Sequence, residues 1–443
     1  MPLQSQIINV LPRRLLASLW ASQETRLSVH KILAACALHP QQQQPSVTTQ
    51  SFLCDELPIR YSHMLRLLST LSPDQLQTPM IRHVAHRYLH DMCTLLHPSL
   101  RSTSDRAFND LIRKLRQRQA ASLIRMRYAL VHTKNNALME HINTVGLGIQ
   151  FLTATATATA AAAAEGRVQT VKPAEIAMQA VQDARQVCAS CLGRDAPTIS
   201  IQEQPNLSLT FMPHVLHRML FESTMITLRA RMLQQQYEQQ QHHSSNSPWK
   251  ALFDRAFQRR NNSPLDSIQL DIFGGPTSIG FRLQSPAPLL PSDLKHDIPR
   301  DPLGIPSCPS VLSRTESTTL RDDLDMLEDA EWHVWSGWRA AKTMASHWGG
   351  NLDVVSMDGL GSTMYLALDR DTSLLERYPS RPAAAIASTA APLTLAAAED
   401  QLNAFLGAIA DPSHQPAFIP ARKDEIYHSV SLSAAVAAAV GHA

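Results

Sequence analysis

A chain of 443 residues can bury more than one core, and a formal net charge of +2 supplies no global field that would mark a nucleic-acid binder. No apolar run reaches the roughly eighteen residues of a helical membrane span. The six cysteines (Cys36, Cys54, Cys93, Cys188, Cys191 and Cys308) are too sparse and irregular for a disulfide framework and argue for a reducing compartment.

Residues 1–23 contain no Asp or Glu, carry Arg13 and Arg14, and set Leu11, Leu15, Leu16 and Leu19 in an apolar stripe. That pattern suits a mitochondrial presequence or an ordinary first helix of the folded protein, and both readings stay open. Residues 24–152 read as all-helical. Leu27 to Leu38 is a short amphipathic segment. A long helix follows, with Asp55-Glu56-Leu57-Pro58-Ile59-Arg60 at its start, so that Pro58 suits the first turn and the acids favour the positive end of the helix dipole.

Ile81 to Leu96 is a second helix. Its His83, His86 and His90 recur at metal-compatible spacing, but nothing downstream completes such a site, so half-buried histidines are the simpler expectation. Phe108 to Leu130 carries Arg113, Lys114, Arg116, Arg118, Arg125 and Arg127 over more than one face, which predicts a solvated surface, or else a patch for an acidic partner. Asn136 to Leu152 closes the series, and the Thr-Ala tract that follows marks a boundary.

From Val168 the pattern changes. Pro173 to Cys191 is amphipathic with Ile176, Ala180, Ala184 and Val187 inward, and Cys188 and Cys191 read as buried thiols. Thr198 to Gln202 and Leu207 to Met212 alternate like paired strands. Pro213 to Ala230 is a helix with Leu216, Leu220, Ser223 and Thr227 on one face and Glu222, Ile226 and Arg229 on another. A polar stretch, 234–247, follows as an insertion. Ser267 to Ile272 is a strand that turns at Phe273-Gly274-Gly275-Pro276, and the Pro/Ser-rich segment 284–330 has no periodicity. Arg339 to Trp348 is a helix, and Leu352 to Met357 and Ser362 to Leu368 form a hairpin through Asp358-Gly359-Leu360-Gly361. Ala-Pro-Ser stretches dominate 371–443.

Three segments in this order, the Glu56–Arg60 signature, the PHVLHRMLFE helix and the WGGNLDVVSMDGLGSTMYLAL hairpin, resemble the mitochondrial kinases of 2-oxo acid dehydrogenase complexes, the pyruvate dehydrogenase and branched-chain kinases. The resemblance spans roughly residues 26 to 368. It implies an α+β fold: a four-helix bundle over 24–166, then a GHKL-type α/β sandwich ATP-binding domain over 167–370 with 284–330 as its lid, and an Ala-rich tail over 371–443. It implies ATP as cofactor, a general base at Glu222, an adenine anchor at Asp271, Arg229 as a phosphate-side neighbour, and ATP-binding positions at Gly275, Gly337, Gly361 and Ser362. It also implies a lipoyl domain of an acyltransferase core as dock, a homodimer or a heterodimer with a related kinase, no nucleic acid, and a mitochondrial matrix location.

Four positions depart from the family's pattern. The magnesium-binding Asn is Ile226, two glycines are Phe273 and Trp335, and the assisting His has no counterpart in RQRQAASLIR. Phosphoryl transfer rests on metal charge and preorganised donors. Two readings therefore stand: a protein-serine/threonine kinase that inhibits a dehydrogenase complex, pyruvate dehydrogenase first, and a catalytically weak or dead pseudokinase that acts as an adaptor of that complex or of a sister kinase. A chaperone-type GHKL ATPase is disfavoured, because those proteins do not begin with the Glu56–Arg60 module.

Overall fold

The computed structural model describes residues 12–37, 50–131, 135–157, 168–193, 195–244, 267–290, 294, 328–378 and 393–410. The fold is a mixture of helices and one mixed sheet, divided between two hydrophobic cores.

The first core is helical. It gathers α1 (Arg13–Ala21), α3 (Gln50–Leu68), the short α4 (Pro73–Leu76), α5 (Pro79–Leu95), α6 (Asp105–Leu130) and α7 (Asn136–Thr157), while α2 (Val29–Ala37) leans on the second core. Pro58 is not in a first turn. Leu53, Cys54 and Leu57 are buried on the side that continues upstream, so α3 begins at Gln50 and Pro58 lies inside it. Burial of that face outweighs the roughly 3 kcal/mol cost of an interior proline.

The acids before Pro58 therefore do not serve a helix dipole. Glu56 is buried against Arg60, Nε to Oε1 at 2.8 Å, and Arg60 also meets Glu376 from the far end of the chain. Arg60 donates further to the Thr25 carbonyl at 2.9 Å, and Glu376 Oε2 lies 3.2 Å from His347 Nε2. A Cβ on Gly148 of α7 would come within 3.1 Å of the Arg60 guanidinium, which explains the small residues of that helix.

The basic helix α6 is not a solvated face. Arg125 and Arg127 are buried. Arg127 donates to Asn143 Oδ1 at 2.8 Å and to the Val334 carbonyl at 2.7 Å, and Arg125 lies 3.2 Å from His83 Nε2. Arg118 pairs with the buried Asp91 at 3.0 Å and Arg116 with Glu331 at 2.8 Å, leaving Arg113 and Lys114 exposed. Burial, reinforced by the Arg125 charge, pushes the His83 pKa down to about 3, and burial with Arg82 takes His86 to about 4.

The second core is a layered sandwich. The sheet runs β2 (Ile199–Glu203), β4 (Ile268–Gly274), β5 (Ser278–Ser285), β7 (Gly361–Asp369), β6 (Asn351–Met357), with β2 parallel to β4 and the remaining pairs antiparallel. One face is covered by α8 (Pro173–Leu192), α9 (Pro213–Ser244) and α11 (Trp338–Ser346). The two strands expected to pair with each other do not. β2 joins the large sheet, whereas β3 (Leu209–Phe211) pairs with β1 (Gln169–Val171) in a sheet of its own. On α8 the inward face is Ala177, Ala180, Val181, Ala184 and Cys188, and Val187 is exposed. The expected polar insertion at 234–247 continues α9 as helix through Ser244.

The two cores meet at α7, whose Phe151 stacks against Trp335, His347 and Trp348, and at α10 (Glu328–His333), which packs on α6. After β7 the chain returns to the helical layer. Ser28 bridges Leu375, and Tyr378 meets His63 at 2.8 Å. The expected tail thus contains core elements. In α12 (Leu395–Ile409), Ala398, Leu402, Phe405, Leu406 and Ile409 are buried against the bundle and α1, and Trp20 of α1 packs on Phe405. Leu16, Ala17 and Trp20 are buried likewise, so residues 13–21 form a core helix within the stretch read as a possible presequence. Among the described residues no helix is long and apolar enough to cross a membrane.

Candidate nucleotide site

The side chains that approach each other belong to α9, to the start of α11 and to the ends of β5 and β7. α9 opens at Pro213 and presents Leu216, Leu220, Ser223 and Thr227 to the sheet, as its spacing predicts. The space between this face and the sheet, lined by Leu220, Ser223, Thr224, Leu270, Phe281, Met364 and others, is a void of ≈ 10 Å³, room for one water at most.

Glu222 and Gly337, expected to share a site, do meet. Gly337, with φ at 96°, precedes α11, and its N–H donates to Glu222 Oε2 at 2.9 Å. The other oxygen is held by Arg218 Nη2 at 2.7 Å, one turn upstream on α9. Arg218 is buried, bonds the Ser336 hydroxyl, and stacks 3.9 Å over the Trp332 ring. A helix N-terminus favours an anion. Here that place is taken by the protein's own carboxylate, which is 8 % exposed and engaged at both oxygens.

Gly361 and Ser362 also converge, at the near end of the sheet, but on the protein itself. Gly361 has φ 94°, and a Cβ there would collide with the Ser285 carbonyl oxygen and Pro286. Ser362 pairs with Ser285, donates from its hydroxyl to the Ala287 carbonyl at 2.7 Å, and Ser285 Oγ accepts from Ala287 N–H at 3.2 Å. Leu289 N–H and carbonyl are both bonded to Ser356. The chain leaving β5 therefore lies along the β6–β7 hairpin and uses up these polar groups.

Asp271 does not belong with them. Ile268, Leu270 and Ile272 face α9, so Asp271 points from the opposite face, where Arg282 across the strand pair donates to its Oδ2 at 2.6 and 3.0 Å. Arg282 in turn pairs with Tyr365, which places Asp271 two strands over and three residues along from Ser362. Gly275 is farther still. It sits in the β4–β5 hairpin, accepting from Arg370 at 2.8 Å, at the end of the sheet away from Ser362. The Asp-x-x-Gly-Gly run of 271–275 is thus a strand and its turn, and the position beside Ser362 that an acid would need is Ser285.

Ile226 is half-buried and packs on the sandwich core, and Arg229 lies toward α8, where its charge acts on Cys188. Burial nonetheless pushes that thiol up to about 12. Trp335 and Trp338 pack in the cores, and most of the lid stretch, 291–293 and 295–327, lies outside the described residues, as do Asp322, Asp323 and Asp325. Among the described residues no group of three His, Cys, Asp or Glu side chains could hold a metal ion. Sequence reasoning missed Arg218, Ser285, Trp332 and Ser336. Arg218 was legible as the residue four before Glu222, and Ser285 only through strand register.

A model of the mitochondrial branched-chain alpha-ketoacid dehydrogenase kinase family matches residues 26–154. A mitochondrial [pyruvate dehydrogenase (acetyl-transferring)] kinase of Arabidopsis thaliana is 23% identical over 340 residues, covering 72% of this chain and 84% of its own length. Both similarities are to mitochondrial dehydrogenase kinases, at low identity, and support membership of that family. The family match falls on the helical layer that carries Arg60.

Proposed function

We propose that the chain regulates a mitochondrial 2-oxo acid dehydrogenase complex, pyruvate dehydrogenase first, as a kinase-fold adaptor whose phosphoryl-transfer site is closed on itself. The observation that carries this reading is Glu222, whose two oxygens are held by Arg218 and Gly337. A general base must point at the proton it removes, and Glu222 instead has both oxygens directed at the protein's own donors.

Magnesium does not fit the described residues. Ile226 offers no oxygen, and a guanidinium already neutralises the one carboxylate. ATP, which family membership implies, meets hydroxyls of Ser285 and Ser362 that are already bonded to backbone. Losing one oriented donor or metal contact commonly costs about 3 kcal/mol of transition-state stabilisation, near a hundredfold in rate. In this reading the four helices α3, α5, α6 and α7 form the bundle that docks to the lipoyl domain of the acyltransferase core, the sheet domain is a GHKL-type sandwich, and the protein acts in the mitochondrial matrix as a homodimer or beside a related kinase.

A second reading, inhibition of the dehydrogenase by phosphorylation, is favoured by one observation: Glu222 is retained on the correct helix, next to Gly337. The adaptor reading is tested by binding of the full chain to purified acyltransferase core and to its isolated lipoyl domain. Saturable binding to either is expected, and no binding to the core, the dehydrogenase or a sister kinase would sink it.

A further inference from the structure

Arg218 is a buried charge on the face of α9 that carries Glu222. It stands one turn before Glu222 on α9, and Ile226, at the magnesium-ligand position, stands one turn after. The guanidinium is about 95% buried by its 5% exposure, pairs with Glu222 at 2.7 Å, and stacks on Trp332 at 3.9 Å. Its Nε and Nη1 are buried without a hydrogen-bond partner. Burying such a charge is costly unless something fixes it there.

The something is Glu222, whose carboxylate would otherwise sit buried at the head of α11 with only the Gly337 N–H to balance it. The cation of Arg218 and the apolar Ile226 therefore fall on one helix face, on either side of the same carboxylate. We propose that Arg218 is a built-in replacement for the divalent cation: a fixed positive charge that holds Glu222 and excludes the metal from it. Arg218 is a positioning residue, acting through Glu222. The contact also ties α9 to the lid-side helix α10 through Trp332 and to the start of α11 through Ser336 and Gly337.

This inference rests on the closed-site reading above but makes a separate claim, that two substitutions are needed to let magnesium in. Restoring the ligand alone, Ile226→Asn, leaves the guanidinium on Glu222. Removing the guanidinium alone, Arg218→Met, leaves one carboxylate and no second oxygen.

The experiment measures ATP affinity of the full-length chain with magnesium and with EDTA, together with Trp fluorescence, for the wild type, each single variant and the double variant. Arg218→Gln, which keeps a donor for Glu222 and drops the charge, is carried in parallel in case Arg218→Met fails to fold. The double variant should show a magnesium-dependent gain in ATP affinity of about tenfold or more. The wild type and Ile226→Asn should show none, and either Arg218 variant should shift the Trp emission. A gain in Ile226→Asn alone as large as in the double variant would overturn the proposal. So would the absence of any gain in folded double variants built with either Met or Gln. Adaptor binding to the acyltransferase core is read separately, so its failure would not be confused with either result.

Discussion

Arg60 and Arg218 are both buried arginines paired with a glutamate one helical turn away, and they lie in different halves of the molecule. Arg60 meets two carboxylates and a backbone carbonyl, and its second carboxylate also faces His347. Arg218 meets one carboxylate, a hydroxyl and an indole face, with two nitrogens, Nε and Nη1, left without a hydrogen-bond partner. A buried pair becomes costly when a partner is missing, so the contrast separates a fully partnered structural joint from a pair with donors to spare. The family signature around Arg60 reads as architecture: it ties α3 to the segment after β7 and so fixes the helical layer on the sandwich.

The largest effect is expected at that joint. Arg60→Ala leaves Glu56 and Glu376 buried without a counter-charge and should cost about 3–5 kcal/mol in denaturant unfolding. An unchanged midpoint would mean that the network contributes nothing. Next is the helix within the supposed presequence. Trp20 is 1% exposed against Phe405, and Trp20→Ala should cost about 3 kcal/mol. Deletion of 1–23 should destabilise α12 as well, read as faster proteolysis at its ends.

Acid should weaken the Arg60 side of this contrast in two steps. Burial alone would raise the Glu376 carboxyl, but Arg60 and His347 outweigh it and take the pKa down to about 2. A depressed acid contributes stability above its unfolded pKa, so this part is lost as pH falls from about 4.5 to 2 and amounts to about 3 kcal/mol. His83 and His86 are held neutral in the fold, at about 3 and about 4, whereas the unfolded chain takes up protons from 6.5 downward. Stability should therefore begin to fall below pH 6.5, before Glu376 titrates. His83→Gln should flatten that first step, and a profile flat from 6.5 to 5 would contradict the assignment.

The smallest effect is predicted at Asp271. Its partner Arg282 is partly exposed on the outer face, and Asp271→Asn should cost no more than about 1 kcal/mol. It should leave nucleotide binding untouched, where an adenine anchor would abolish it.

Much of the fold was legible because helix and strand periods are written locally. The MLFE helix, the closing hairpin and the bundle helices fall where their apolar spacing puts them. What failed depended on partners distant in sequence. Pro58 looks like a first-turn residue until the buried Leu53 and Leu57 are seen, and the arginines of α6 look solvated until Asp91, Asn143 and Glu331 are placed beside them. Asp271 matched a motif by order of residue types, yet strand register alone decides which face a residue takes, and a shift of one residue reverses it. Glu222, Gly337, Gly361 and Ser362 were named by resemblance, and the fold brings Glu222 to the Gly337 N–H and Ser362 to the Ala287 carbonyl. Arg218 was missed because Ser336 and Trp332, which help hold it, are distant in sequence.

The most direct test is incorporation of labelled phosphate into purified pyruvate dehydrogenase complex by the full-length chain with ATP and magnesium, set beside Glu222→Gln. Binding to the complex with incorporation at background in both proteins is the predicted result. Robust incorporation by the wild type, lost in Glu222→Gln, would show that the carboxylate is free to act as a base and would contradict a site closed by Arg218.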